Sequence, residues 1–425
     1  MFHKNISSVV AVSFVQISCL GVPVAANAEG FFEDSHAQLD LRNFYMNRDY
    51  RNDNLPDVPR HKGKAQSKSE DWGQGFLLRL NSGFTATPIG FGLDALGLYG
   101  VKLDSGAGTG GTGVLQRNPV SGKSESNYGF LGITAKAKFA NTVGTVGNHE
   151  PLLPVIYRND TRMLPSTYEG FQLVSKDFDK LTLTAGQFDK VHLRDSSDTQ
   201  DMVMYSIGST GGVESDQFQY AGASYALTPS SALTYFRAEL RDNYQQDYLG
   251  YTRGFNLSEG YSLKADLRAF KSDSEGATNV DNFYYGAFLT VTNLNHALGF
   301  GYQDQSGRTG MPFLVGTDAY IVNMSNYATF LRPEERSFQV RYDYNFAPIG
   351  IPGLTFMGRY ISGSQFEVRG ESAREWERDL EVAYVIQSGF AKDFAVRWKN
   401  IMYRGDHATG LNENRLILSY VFKFK

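Results

Sequence analysis

Arginine and lysine recur at alternate positions within segments that are otherwise largely apolar. Alternation of this kind sets several cationic groups along one face of a wall. Arg42, Arg79, Arg268, Arg341, Arg359, Arg397, Lys399 and Arg415 share such a face. A guanidinium holds a carboxylate through charge-assisted, often bidentate, hydrogen bonds. Several modest sites in series suit passage better than one tight site, because a bound solute must also leave. The bland reading of each cation is a solvated or paired charge, with Asp40, Asp160, Asp266 and Asp343 as partners.

Other chemical patterns fail on their surroundings. Gly106, Gly108 and Gly111 match G-x-G-x-x-G, but Gln116-Arg117-Asn118-Pro119 follows instead of a helix, so a loop is expected and not a dinucleotide site. Gly122-Lys123-Ser124 resembles the end of a P-loop, yet Arg117 stands where the earlier Gly is needed. Asp195, Asp198 and Asp201 lack the spacing and central Gly of a calcium loop, and Pro151 follows His149-Glu150, which breaks a helical zinc motif. There is no G-x-S-x-G, and the histidines are scattered. The expectation is no catalytic residue, no metal and no cofactor.

The elements that must position the cations are strands. In residues 338–346 one face reads Phe338, Val340, Tyr342, Tyr344, Phe346 and the other Gln339, Arg341, Asp343, Asn345. Residues 261–270 place Tyr261, Leu263 and Leu267 opposite Ser262, Lys264, Asp266, Arg268 and Phe270. Phe76, Leu78 and Leu80 likewise oppose Leu77, Arg79 and Asn81, while Leu380, Val382 and Tyr384, and Leu416, Leu418, Tyr420 and Phe422, share outward faces. Soluble sheets alternate too. The basic polar face, the Tyr and Phe near segment ends and the span lengths favour a transmembrane barrel. The predicted fold is all-β: one antiparallel barrel of about 18 strands, closed so that its backbone is satisfied in lipid. Short connections are expected at 228–231 and 347–353, and long ones at 50–71, 104–125, 141–166, 193–215, 304–335 and 363–378.

Composition agrees with one large β architecture. The 425 residues include 44 Gly, 25 Tyr and 30 Phe. A formal net charge of −4 gives no basic field for nucleic acid. After the N-terminus no charge-free apolar run is long enough for a membrane helix. Residues 1–28 read as an export signal, with Lys4, an apolar stretch from Ile6 to Val24, and Ala26-Asn27-Ala28 as cleavage site. Cys19, the single cysteine, leaves with it, and residues 29–425 form the barrel domain. Acids are expected to concentrate partly in the loops.

Seven stretches, in order along the chain, resemble the OprD (porin D-type) family of outer-membrane carboxylate channels of Gram-negative bacteria. They are residues 33–51 (EDSHAQLDLRNFYMNRDYR), 72–84 (WGQGFLLRLNSGF), 92–105 (GLDALGLYGVKLDS), 158–170 (RNDTRMLPSTYEG), 335–344 (ERSFQVRYDY), 375–379 (EWERD) and 412–420 (NENRLILSY). The resemblance implies an 18-stranded pore working as a monomer with at most weak oligomerisation, long loops folded inward as a constriction, and a basic ladder leading anionic solutes through. It adds Arg158 and Arg162 to the candidates, and Arg194 as a lesser one. Such barrels usually end on an aromatic or apolar residue, whereas this chain ends Phe422-Lys423-Phe424-Lys425. The expected partners are small anionic or zwitterionic carboxylates, outer-membrane lipid and lipopolysaccharide. The alternative is a barrel enzyme with a loop-borne Ser/His/Asp site. A first strand close behind the export signal leaves no room for the plug of an energised transporter.

Overall fold

The computed structural model describes residues 30–51, 60–61 and 64–424, apart from Ala107, Pro119, Glu259 and His407. The export signal expected over 1–28 and the terminal Lys425 lie outside the described residues.

Eighteen long strands form one antiparallel sheet that closes on itself. The first four are β1 (His36–Tyr50), β2 (Lys68–Asn81), β3 (Gly90–Asp104) and β4 (Asn127–Phe139). Then come β5 (Thr142–His149), β6 (Thr167–Phe178), β7 (Leu181–His192), β8 (Phe218–Thr228) and β9 (Ser231–Leu240). The second half begins with β10 (Tyr244–Ser258), β11 (Tyr261–Ser274), β12 (Asp281–Asn293) and β13 (His296–Ser306). It ends with β14 (Arg336–Asn345), β15 (Leu354–Val368), β16 (Glu371–Val385), β17 (Ala395–Gly405) and β18 (Ala408–Lys423). Closure runs from Gln38 opposite Lys423 to Tyr50 opposite Leu411, so β1 and β18 leave no free edge.

The alternation read from the sequence sets the two faces. Phe338, Val340, Leu267, Tyr384 and Leu416 are exposed on the outside, while Leu77 and Phe270 are buried inside. Short turns join the strands at one end. At the other, loops 105–126, 150–166, 193–217 and 307–335 connect β3–β4, β5–β6, β7–β8 and β13–β14. These long loops fold into the barrel. Val155, Ile156, Met202, Met311, Leu314 and Ile321 from three of them pack on inward aromatics of β6–β12, among them Phe188, Phe236, Tyr248 and Tyr284. Burying each such side chain contributes roughly 1.5–3 kcal/mol. Met163 and Leu164 pack separately with Leu115, Phe44 and Leu77.

Two expected loops are strands instead. Residues 142–149 of the expected 141–166 loop form β5, whose sequence Thr-Val-Gly-Thr-Val-Gly-Asn-His carries too few apolar residues to show a period of two. Gly147 there has φ +131°, and a Cβ on it would lie 2.0 Å from the carbonyl oxygen of Ile133, so only glycine fits this close strand approach. Residues 363–378 are the polar ends of β15 and β16, joined at Arg369 and Gly370 (φ +56° and +79°), the left-handed pair of a tight hairpin turn. Both strands are polar there because they extend beyond the apolar belt. The 347–353 connection holds a single 3-10 turn, Ala347–Ile349.

Candidate functional site

Cations and carboxylates alternate in space across the interior. Asp40 on β1 accepts from Arg79 Nη1 at 2.8 Å. Arg79 then grips Glu150 with Nε and Nη2 at 3.0 and 2.9 Å. Glu150 also meets Arg158 at 2.7 Å, and Arg158 lies 3.6 Å from Asp160. Asp160 closes the chain on Arg42 at 2.7 Å. Glu150, Arg158 and Asp160 all belong to loop 150–166, so this zipper carries charge from the wall onto a loop inside the lumen.

The adjoining wall repeats the device. Arg341 holds Asp343 through Nε and Nη2 at 2.8 Å each. Glu381 is shared by Lys399 at 2.9 Å and Arg397 at 3.2 Å. Arg359 donates to Asp379 at 2.9 Å, Arg268 to Asp266 at 3.0 and 2.7 Å, and Arg415 to Glu413 at 2.5 Å. The four carboxylates named from the sequence as the bland alternative all serve as partners. Asp40, Asp266, Asp343, Asp379, Glu381 and Glu413 are strand residues on the inner face, while Glu150, Asp160, Asp195 and Asp318 lie in loops, so the acids are divided between wall and loops.

Several of these cations also hold loop 307–335 by its main chain. Arg268 donates to Ile321 O at 3.0 Å, Arg359 to Met324 O at 2.5 Å and Arg415 to Asn326 O at 2.9 Å. Glu377 on β16 binds the same segment from the opposite sense, accepting from the backbone N–H of Asn326, Tyr327 and Ala328 at 2.9, 3.0 and 2.7 Å and from Ser325 Oγ at 2.8 Å. Arg42 does the equivalent for loop 150–166, donating to Arg162 O at 2.8 Å. The guanidinium of Arg268 additionally lies 4.0 Å from the centre of the Tyr320 ring, a cation–π contact.

The candidates therefore separate by burial. Arg415 is almost wholly buried, sharing Glu413 with Arg48, which lies 2.7 Å from it. Arg162 is also buried, and donates to Thr112 O at 3.1 Å and Thr161 O at 3.0 Å rather than to a carboxylate. Their burial takes both out of reach of a passing solute. Arg194 is a loop clamp, donating to Asn159 Oδ1 at 2.6 Å. Arg79, Arg158, Arg341, Arg397 and Lys399 bind carboxylates without capturing a loop carbonyl. The two loops meet where Asn159 donates to Asp318 at 2.7 Å and where Arg158 bridges to Thr317. Burial pushes the Asp318 carboxyl up to about 6, against the opposing pull of Arg194 and Arg162. Burial also raises Asp195.

A closed barrel of eighteen strands, narrowed by inward loops and lined by paired charges, has close counterparts. The description "outer membrane porin, OprD family" matches residues 29–424. The chain belongs to the OprD family of outer membrane porins. Porin-like protein GalP of Pseudomonas putida is 35% identical, over 94% of each chain. Among solved structures, Pseudomonas aeruginosa OccK9 (OpdG) is 41% identical with a TM-score of 0.87, covering 93% of this chain and all of that one. Pseudomonas aeruginosa OpdK, solved with vanillate, is 33% identical with a TM-score of 0.85 over 93% and 100%. This OprD-family chain is thus a substrate-specific porin of the outer membrane, and its relatives are channels.

Sequence reasoning missed Arg48, Glu377, Glu413 and Asn326. Glu377 and Glu413 fall within stretches 375–379 and 412–420, which the family resemblance marks without giving either residue a role. The available signal was parity: Glu377 and Asp379, or Glu413 and Arg415, sit two apart and so share one face of a strand.

Proposed function

We propose that this porin passes small carboxylate-bearing solutes, aromatic acids foremost, by exchanging them along its charge zipper. The observation that carries the reading is the run Asp40–Arg79–Glu150–Arg158–Asp160–Arg42. Each guanidinium already holds a carboxylate in the geometry a solute would adopt. A solute carboxylate replaces a resident one, and the resident one takes the site back when the solute moves on. The net cost of each step is small because one charge-assisted bond is exchanged for another. The vanillate bound in OpdK is an aromatic carboxylate of this kind. Asp160 lies beside Arg158 and would accept the amino group of a zwitterion. The reading includes export directed by residues 1–28 and a pore that functions as a monomer.

Uptake into proteoliposomes tests it. In the triple variant R158Q/R341Q/R397Q, benzoate influx should fall at least about tenfold, since each lost charged hydrogen bond is worth roughly 1.5–3 kcal/mol before compensation. Influx of a neutral sugar of similar size should not fall. Unchanged benzoate influx in a folded triple variant defeats the proposal.

A further inference from the structure

The outer surface of the barrel carries a second group of cations that the lumen does not use. On β16 and β17 the inward residues Glu375, Glu377, Asp379, Ile401 and Tyr403 are buried. The alternate residues therefore face outward, and Val382, Tyr384 and Trp398 are exposed in the apolar belt. Towards the loop end the same face carries Arg378, then Arg404 beside its register partner Trp376, then Arg374. Arg51, just past β1, and Arg378 both act electrostatically on Arg404.

Several cations elsewhere on the outer rim are paired with a carboxylate where they stand. Arg237 pairs with Asp247 at 2.9 Å, Lys271 with Asp273 at 2.8 Å, Arg308 with Asp281 at 3.3 Å and Arg336 with Asp304 at 2.6 Å. Arg378 and Arg404 have no carboxylate partner among the described residues. Arg378 donates to Asn400 Oδ1, and its Nε is buried without a partner among the described residues. Arg404 donates to the carbonyls of Tyr403 and Leu411 at 2.7 Å each and to Asn412 Oδ1 at 2.9 Å. The nearby acids are Asp49, 3.2 Å from Arg51, and Asp406, which accepts the Arg374 backbone N–H at 3.1 Å.

An outward cluster of like charges repels itself unless an anion joins it. Its level defines which anion. Trp376 stacks on Tyr360 at 5.8 Å, the interfacial position aromatic side chains occupy above the apolar belt of a barrel. Arg404 stands on that level, Arg374 one outward position beyond it and Arg378 one outward position below it, so the three bracket the headgroups of the outer leaflet. Below them Asn400 donates to Asn414 at 2.9 Å, which continues the polar strip with amides suited to sugar hydroxyls. We propose that Arg374, Arg378 and Arg404 bind a phosphate of the lipopolysaccharide headgroup, whose planar, bidentate recognition favours arginine.

Native mass spectrometry of the full chain in micelles, titrated with diphosphorylated lipid A, tests the site. R374Q/R378Q/R404Q should weaken binding on the order of a hundredfold, from about 1 kcal/mol for each basic residue at a charged membrane surface. The triple Lys variant, which keeps the charges but not the planar forks, should fall between wild type and the Gln variant, and dephosphorylated lipid A should bind wild type as poorly as the phosphorylated lipid binds the Gln variant. Unitary conductance should be unchanged in that variant, which separates this site from the pore reading and shows that the barrel folds. If the triple variant does not fold, R378Q and R404Q singly should each lose about fivefold. Equal binding by wild type and folded variants, or equal binding of the dephosphorylated lipid, overturns the proposal. So does full occupancy by inorganic phosphate in place of the lipid, or self-association of lipid-free wild type that the Gln variant abolishes.

Discussion

The wall formed by β6–β12 and the wall formed by β14–β18 with β1 and β2 hold inward loops by opposite means. The first does so with aromatic packing: Phe188, Phe236, Tyr248 and Tyr284 press on apolar loop residues, and Tyr284 also accepts the backbone N–H of Val322 at 2.9 Å. The second does so with charge. Arg359 and Arg415 there bridge a wall carboxylate on one side and a loop carbonyl on the other, and Arg42 binds a carboxylate and a carbonyl of loop 150–166. Apolar packing fixes a loop but offers a solute nothing to exchange with. A paired charge fixes a loop and, on the proposed reading, remains available for exchange wherever it is not fully buried. Among the described residues, Arg268 with Asp266 and Ile321 O is the one such bridge on the aromatic side, on β11.

The largest effect should come from Glu413→Gln, which orphans both Arg48 and Arg415. Removing one partner of a buried ion pair costs about 3–5 kcal/mol, so the midpoint of urea unfolding in micelles should drop sharply. Current noise should rise as Asn326 is released. Phe188→Ala should cost roughly as much as a typical Phe→Ala core truncation, about 3–5 kcal/mol, yet leave the anion-to-cation permeability ratio unchanged. A change in that ratio would show that the two walls do not divide the work. Arg79→Gln should show the reverse pattern. Its ion pairs are partly exposed, so stability should move by no more than about 1 kcal/mol, while benzoate flux falls several-fold.

The smallest effect concerns pH. Burial raises the Asp318 carboxyl to about 6, so the folded loops favour its protonated form. That preference stabilises the native state fully below its ordinary carboxyl range and is lost as pH rises through about 6. Loop contact should therefore weaken, and anion preference decline, between pH 5 and 7, read as a shift in reversal potential across a salt gradient. Asp318→Asn should flatten the shift. A shift that persists in the variant places its source elsewhere.

Alternation alone placed Arg79, Arg268 and Arg341 on the inner face and Phe338 and Leu416 on the outer one, because a strand's side chains alternate with a period of two whatever it pairs with. The same rule was silent for β5 and for the ends of β15 and β16, where glycine and polar residues hide the period. Charge pairing was half visible. Arg268–Asp266 and Arg341–Asp343 lie two apart on one strand and need no knowledge of the fold. Arg79–Glu150, Arg42–Asp160 and Glu377 with residues 325–328 join segments 49 or more residues apart.

The sequence by itself determined a closed barrel, its two faces and a row of cations on the inner one, since these follow from local period and residue type. Only the tertiary structure decided which cations are buried under the loops and which stay partly exposed. That depends on where loops 150–166 and 307–335 come to rest, and their resting place is set jointly by aromatic packing on one wall and by guanidinium–carbonyl bonds on the other. No spacing along a single strand encodes that meeting.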